Sequence, residues 1–261
     1  MKDIQNQRDS RRINIRKVGV KGVSYPVIVL DKAHRAQKTV ALVNMYVNLP
    51  HHFKGTHMSR FVEILNRFHD RFTLAAFQRI LEEMKSRLDA EAAHLEMGFP
   101  YFFTANKKDQ TVLARYSCRL YGSLATSLDL IVEVDVPIAT RFSTDDAPDN
   151  APGLWGHATV SVRMHRFLWI EDLIALIEDA LVNAHSQPLT VKNGCAAIEA
   201  ALQASQAFSW YTVLVKNQAS GYASFAACEW PDNGPASAHG LRASSFAGPF
   251  TTHNLSLVLP Q

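Results

Sequence analysis

Eight stretches of the chain alternate apolar with polar residues or concentrate β-branched and aromatic ones: "YPVIVL", "KTVALVNMYVNL", "HLEMGFPYFFTA", "TVLARYSCRLYG", "LDLIVEVDVPIAT", "HATVSVRMH", "WYTVLVK" and "YASFAACEW". A period of two sends successive side chains to opposite faces, so these read as half-buried antiparallel strands. Two other segments have helical spacing, and each breaks in the middle. Phe61, Ile64, Leu65 and Phe68 form one stripe, which resumes at Leu74, Phe77, Ile80, Leu81, Met84 and Leu88 after "DRFT", where Thr73 can cap a second helix. This predicts helices over about 58–70 and 73–90. The other pair starts near Ile170, runs through Leu173, Ile174, Leu176, Ile177 and Leu181, stops at "HSQP", and resumes from about Lys192 to Gln206.

In order the elements read ββααββ and then ββααββ, with the seam in "YGSLAT", Tyr121 to Thr126. The expected fold is α+β, with modules at 13–122 and 123–230, each an antiparallel sheet carrying two helices on one face. An N-terminal arm, 1–12, precedes them. The extension 231–261 is rich in Pro, Gly, Ser and Ala; it either straps across the fold or a neighbour, or is a partly mobile tail. The bare face of each sheet needs cover, and a second subunit is the expected one.

At 261 residues and 47% hydrophobic, the chain is long and apolar enough for a proper core. No apolar run approaches the length of a membrane span, and "MKDIQNQRDSRR" lacks the apolar segment of a secretory signal, so the cytoplasm is the expected location. Cys118, Cys195 and Cys228 are far apart and form no C-x-x-C pair, which favours reduced thiols over a disulfide frame or a zinc knuckle. A net charge of +3 is too small to imply a polyanion. Arg11, Arg12, Arg16, Lys17 and Lys21 read as a solvated arm rather than a nucleic-acid contact.

The densest candidate chemistry lies in "NMYVNLPHHFKGTHMSRFVEIL", between the end of a strand and the start of a helix. Lys54, His57 and Arg60, with His51 and His52 beside them and the free N–H groups of a helix opening near Met58, form a candidate anion pocket. Arginine adds a bidentate fork for phosphate. In the plainer reading His51 and His52 are exposed turn residues, Lys54-Gly55 is a tight turn, and Arg60 pairs with Glu63 or a carboxylate of a partner. Arg163 and His165 alternate with Ser161 and so share one sheet face, lining a tunnel or facing solvent. Glu171 and Asp172 open a helix, where the helix dipole favours acids. Cys118 reads as a core or interface thiol.

Together "VGVKGVSYPVIVLD", "TVALVNMYVNLPHHFKGTHMSRFVEILN", "VDVP", "HATVSVR" and "FLWIEDLIALIEDA" closely resemble the type IB GTP cyclohydrolase family of tunnelling-fold (T-fold) proteins, up to about Glu229. The resemblance implies two tandem ββααββ modules and a homo-oligomer, dimer or tetramer, with active sites between subunits. It also implies an enzyme that opens the imidazole ring of GTP and rebuilds it as 7,8-dihydroneopterin triphosphate. In the family a divalent metal (zinc, manganese or iron) activates water for attack on the purine carbon C8, and a buried carboxylate anchors the guanine edge.

The chain departs from that pattern at the reaction centre. Where the family runs from the "VDVPIAT" strand into a Cys-Pro-Cys-Ser segment, this chain continues "RFSTDDAPDN", with Phe142 about where the metal-binding, catalytic cysteine stands. The family's Gly-Ala-His-Asn-Gln-Arg run is replaced by "APGLWG", and His157 matches the later histidine that leads the strand. Family members also carry a glutamate before an Asn-Pro, a segment shortened here to "QPLTVKNGC". Their paired glutamates and Ile-His-x-His-Asp-Ala stretch give way to "VLVKNQASGYASFAACEW", where Gln218 or Ala219 stands nearest the anchoring acid. A glutamine can still hydrogen-bond a purine edge but carries no charge.

A catalytic zinc needs about three protein ligands and an open position. With those positions changed together, no metal cofactor is expected; Asp145, Asp146, Asp149, Cys195, Cys228, His239 and His253 show no ligand spacing. The expected function is a specialised-pathway enzyme acting on a purine-nucleotide- or pterin-like heterocycle without the usual metal set. His51, His52, Lys54, His57, Arg60, Arg163 and Gln218 are its candidate ligand-binding residues. Neither nucleic acid nor membrane is expected as a partner. Two alternatives stand beside it: a non-catalytic nucleotide-binding or assembly paralogue, and a GTP cyclohydrolase with rebuilt metal ligands.

Overall fold

The computed structural model of the chain describes residues 17–49, 57–68, 71–107, 110–140, 154–184, 189–219 and 222–231. The arm 1–12, His51, His52, Lys54, the loop 141–153 and all of the C-terminal extension but Pro231 lie outside the described residues. Among the described residues there are nine strands: β1 (Val18–Leu30), β2 (Ala36–Asn48), β3 (Arg71–Phe72), β4 (Ala92–Lys107), β5 (Gln110–Leu124), β6 (Leu128–Thr140), β7 (Leu154–Met164), β8 (Phe208–Ala219) and β9 (Tyr222–Trp230). The helices are α1 (Met58–Leu65), α2 (Leu74–Arg87), α3 (Ile170–Asn183) and α4 (Val191–Ser205). Apart from β3, the chain order is ββααββ followed by ββααββ.

All strands join one sheet in the order β3-β1-β2-β4-β5-β6-β7-β8-β9. Every pairing is antiparallel except that of β3, which lies parallel to Ile28 and Val29 of β1. The two halves do not keep separate sheets. Ser117–Leu124 pairs with Leu128–Asp135 across the seam, so the backbone ladder runs through unbroken. The sequence showed "DRFT" only as a helix break, whereas Arg71 and Phe72 add the short parallel edge.

The helices cover one face of this sheet, and the stripes read from the sequence are what they bury. Phe61, Ile64, Phe77, Ile80, Leu81 and Met84 are 0% exposed, as are Leu173, Ile174 and Ile177 of α3. Beneath them Val43, Met45, Leu95, Cys118, Val134 and Val160 occupy alternate strand positions and are equally buried. Burying each large aliphatic side chain contributes about 1.5–3 kcal/mol. Local signals set the helix starts. The Thr73 side chain accepts from the Ala76 N–H at 3.1 Å, and Thr190 and Asn193 form a reciprocal capping box at α4. Gly122 permits the close approach of α2, because a Cβ there would sit 2.1 Å from Phe77 Cε1.

The core also fixes how stability responds to alkali. Burial, then the nearby Glu171 carboxylate, pushes the Cys118 thiol up from 9.0 to about 12. Burial, then Glu133, pushes the Tyr121 hydroxyl up from 10.0 to about 12. Tyr101 and Tyr116 shift the same way, through burial and hydrogen bonds to Glu171 and Glu178. A group raised in the folded state keeps a proton that the unfolded chain has lost, so its stabilisation is complete below the unfolded value and disappears as pH climbs through the folded one. Urea melts between pH 8 and pH 11 are therefore expected to show a midpoint that holds up to about pH 9 and then falls steadily. A midpoint that is flat across that range would contradict these shifts.

Candidate functional site

The sheet face away from the helices takes the other half of each strand's alternation, and it is polar. At its centre Glu133 is 3% exposed. Its Oε1 accepts from Arg119 Nη1 at 2.5 Å, and its Oε2 from the Ser161 hydroxyl at 2.9 Å. The Tyr121 hydroxyl lies 3.5 Å from Oε1. A carboxylate can be buried only when paired and hydrogen-bonded, and this one is both. Arg119, Glu133 and Ser161 are direct cross-strand neighbours on β5, β6 and β7.

One end of this face is built by β2, β4, the start of β6 and the end of β7. Glu96 accepts from Asn44 Nδ2 and from the Tyr46 hydroxyl, both at 2.9 Å, while Tyr46 stacks on His94 with centroids 4.8 Å apart. Asp129 grips Arg163 through Nε at 2.7 Å and Nη2 at 3.0 Å. The same guanidinium lies 4.6 Å from the Trp210 ring centre, and Trp210 Nε1 donates to Glu229 at 2.9 Å. The opposite end, where the 141–153 loop joins β6 to β7, carries Asp135. Its Oδ1 accepts from the Thr159 hydroxyl at 3.0 Å, and its Oδ2 stands 3.4 Å from His157 Nδ1. His157 is half exposed, and Lys216 of β8 is its cross-strand neighbour.

The candidate residues from the sequence are distributed around this frame rather than gathered. Arg163 shares the polar face with Ser161 as expected, but Asp129 holds its guanidinium. Gln218 is exposed on the same face, eight residues along β8 from Trp210, so about 26 Å separates it from the Arg163 end. His57 is the N-cap residue of α1 and Arg60 lies half-buried in its first turn, on the helix side. His165 does not share the face of Arg163. β7 ends at Met164, so His165 lies in the bend beyond the strand, where its N–H donates to the Ala207 carbonyl at 3.1 Å.

His165 instead lines an apolar cavity of about 570 Å³ on the helix side, walled by Leu30, Leu74, Phe99, Val132 and Trp169, with Glu171 as its acid. Glu171 does open α3, but the dipole is not its main partner. At 6% exposed, its Oε1 accepts from the Tyr101 hydroxyl and from the Lys32 N–H, each at 2.6 Å, and Lys32 Nζ reaches Asp172 at 2.6 Å. The first half of the chain is tied to the second by this acid pair.

Glu133, Arg119, Asp135 and Asp129 were not among the candidates. Their signal was present in "LDLIVEVDV", where Asp129, Glu133 and Asp135 recur at odd positions and must share one face. Among the described residues no group of three or more His, Cys, Asp or Glu side chains is gathered so as to hold a metal ion. Asp135 and His157 come near each other without a third such side chain, and Cys118 lies on the helix face. The described side chains therefore do not supply the ligand set that the resemblance implies.

A sequence model described as type I GTP cyclohydrolase FolE2 matches residues 1–206. The chain is 40% identical over 254 residues to a protein named GTP cyclohydrolase FolE2 from Syntrophotalea carbinolica, covering 88% of this chain and 96% of that one. A relative of the same name from Pelobacter propionicus is 50% identical over 182 residues, covering 68% and 71%. Among solved structures, the uricase from Arthrobacter globiformis aligns with a TM-score of 0.59 at 9% identity, over 87% of this chain and 97% of that one. A uricase from Bacillus fastidious gives 0.57 at 8%, over 82% and 92%. Similarity at that level speaks for the fold alone. No helix among the described residues is long and apolar enough to cross a membrane. By the extent of the sequence match, and with an architecture shared with the uricases, the chain belongs to the type I GTP cyclohydrolase FolE2 family.

Proposed function

We propose that the protein is an enzyme of the GTP cyclohydrolase type, built of two T-fold modules, that acts on a purine-nucleotide- or pterin-like heterocycle at the His157 end of its polar sheet face. The observation that carries the reading is the Asp135–His157 pair beside the 141–153 loop, in a chain 40% identical to a protein named GTP cyclohydrolase. Asp135 engages Nδ1, which leaves Nε2 to take a proton from an attacking water as a general base. Gln218, on the same end, offers both a donor and an acceptor to the edge of a purine. The replaced Cys-Pro-Cys-Ser segment supports a reaction centre unlike the family's usual one.

Lys54, His57 and Arg60 would hold the phosphates. β2 ends away from His157, and His57 and Arg60 open the helix that follows it in the chain, while Lys54 lies outside the described residues. A homo-oligomer brings the loop of one copy to the His157 of another. Val40 at 59%, Leu42 at 53% and Leu113 at 68% exposed lie on the polar face and favour such cover.

The test is incubation with GTP, following pterin fluorescence. His157→Ala is expected to lower turnover by about 100-fold or more, while Lys54→Ala and Arg60→Ala weaken GTP more than free guanine. GTP binding without product identifies the non-catalytic paralogue instead. A ligand at a hundred times its Kd adds about 2.7 kcal/mol; if GTP, GDP, guanine and pterins all leave the melting curve in place, the reading fails. About one equivalent of zinc, manganese or iron in active protein would show that the family's metal chemistry has been rebuilt.

A further inference from the structure

Two cysteines that the sequence leaves far apart meet in the fold. Cys195 in α4 is 5% exposed, Cys228 in β9 is half-buried, and their sulfurs stand 3.6 Å apart, close enough to share a hydrogen bond. Cys228 is on the helix-facing side of β9, opposite the buried Val213 of β8. A disulfide bond measures about 2.05 Å, so the two sulfurs have about 1.5 Å to close. Cys118, buried within the sheet at 0% exposed, has no part in it.

We propose that Cys195 and Cys228 are a reversible oxidation site, at which a hydroperoxide drives formation of a disulfide that fastens strand β9 to helix α4. The hydrogen bond between the thiols holds the Cys195 thiol below its ordinary value, against burial, while the same bond and burial raise that of Cys228. Cys195 is therefore the attacking thiolate. Its sulfur bonds to one peroxide oxygen, the O–O bond breaks, and hydroxide departs to take up the proton that Cys195 released. The Cys228 sulfur then attacks the Cys195 sulfenic acid; the S–S bond forms, the S–O bond breaks, and the hydroxide leaves as water with the proton of Cys228. Two thiols lose two electrons and two protons in all, and one peroxide becomes two waters.

The consequence is mechanical. β9 pairs with β8, and Ala223 of β9 is the cross-strand partner of Gln218. The bond would close a loop of 33 residues and stiffen the hairpin that carries Gln218. This holds whatever the chain's substrate proves to be.

The experiment uses the full chain, reduced with dithiothreitol, freed of reductant and titrated with hydrogen peroxide. Free thiols are counted and digests are mapped without reduction. Two thiols should disappear, with Cys195 and Cys228 recovered in one linked peptide pair and Cys118 free. The melting temperature should rise by about 5 °C or more and return on adding dithiothreitol. C118S should behave as the parent chain, whereas C195S and C228S should each abolish the link. Loss of thiols to intermolecular links or to sulfinic acid without the linked pair, or no loss at all in the parent chain, would overturn the proposal without reference to any variant.

Discussion

Glu171→Ala is expected to cost about 4 kcal/mol of stability. Two donors would lose their acceptor at once: the Tyr101 hydroxyl in the core and the Lys32 N–H between β1 and β2. A buried donor left unpaired costs about 1–3 kcal/mol, and the missing side chain enlarges the space beside an existing cavity, which adds to the loss. Glu171→Gln should fall between, at about 1–2 kcal/mol, because it keeps an acceptor for the same two donors. Its new amide N–H₂ would have to replace Oε2, which makes no hydrogen bond in the structure. Urea melts of the three proteins at neutral pH read the order directly. Were Glu171→Ala to melt within 1 kcal/mol or so of the parent, the tie between the halves would be incidental.

The second large effect belongs to the polar face. Glu133→Ala removes the acceptor of Arg119, Ser161 and Tyr121 together. Breaking a buried ion pair from one side costs about 3–5 kcal/mol, but the Arg119 side chain is 41% exposed and water can resolvate it. The expected cost is therefore about 3 kcal/mol, the low end for two lost hydrogen bonds to a charged group. Arg119→Met should cost less than Glu133→Ala if this account is right, since the carboxylate is the buried member. A double-mutant cycle between the two positions isolates their coupling. The reverse order would place the stabilisation in the guanidinium and its aliphatic stem.

The helices were legible because their stripes are long and unambiguous: Phe61, Ile64 and Leu65, then Phe77, Ile80, Leu81 and Met84, can share one side only at helical spacing. Thr73 and Thr190 mark starts by the same local logic. Other features depend on pairings that no local pattern contains. Arg71 and Phe72 are too few to show a period, and whether the halves keep separate sheets is decided by β5 meeting β6. Glu171 already had a sufficient local explanation at the head of a helix, which concealed its partners 70 and 139 residues away. His165 was misplaced because β7 stops at Met164, and past the end of a strand the two-residue alternation no longer assigns a face. The meeting of Cys195 with Cys228 joins a helix to a strand and leaves no trace in their spacing. Arg163 was correctly placed on its face, but nothing in its own segment announced Asp129.

The bend at Ala125–Ser127 has an outcome of its own. Here the chain passes from its first half to its second, and the strands on either side are zipped together. Neither half ends there in a finished margin: each would show a row of bare amides and carbonyls if parted from the other. The two halves make one continuous slab, and a half expressed by itself should be sticky and poorly soluble rather than a small independent fold.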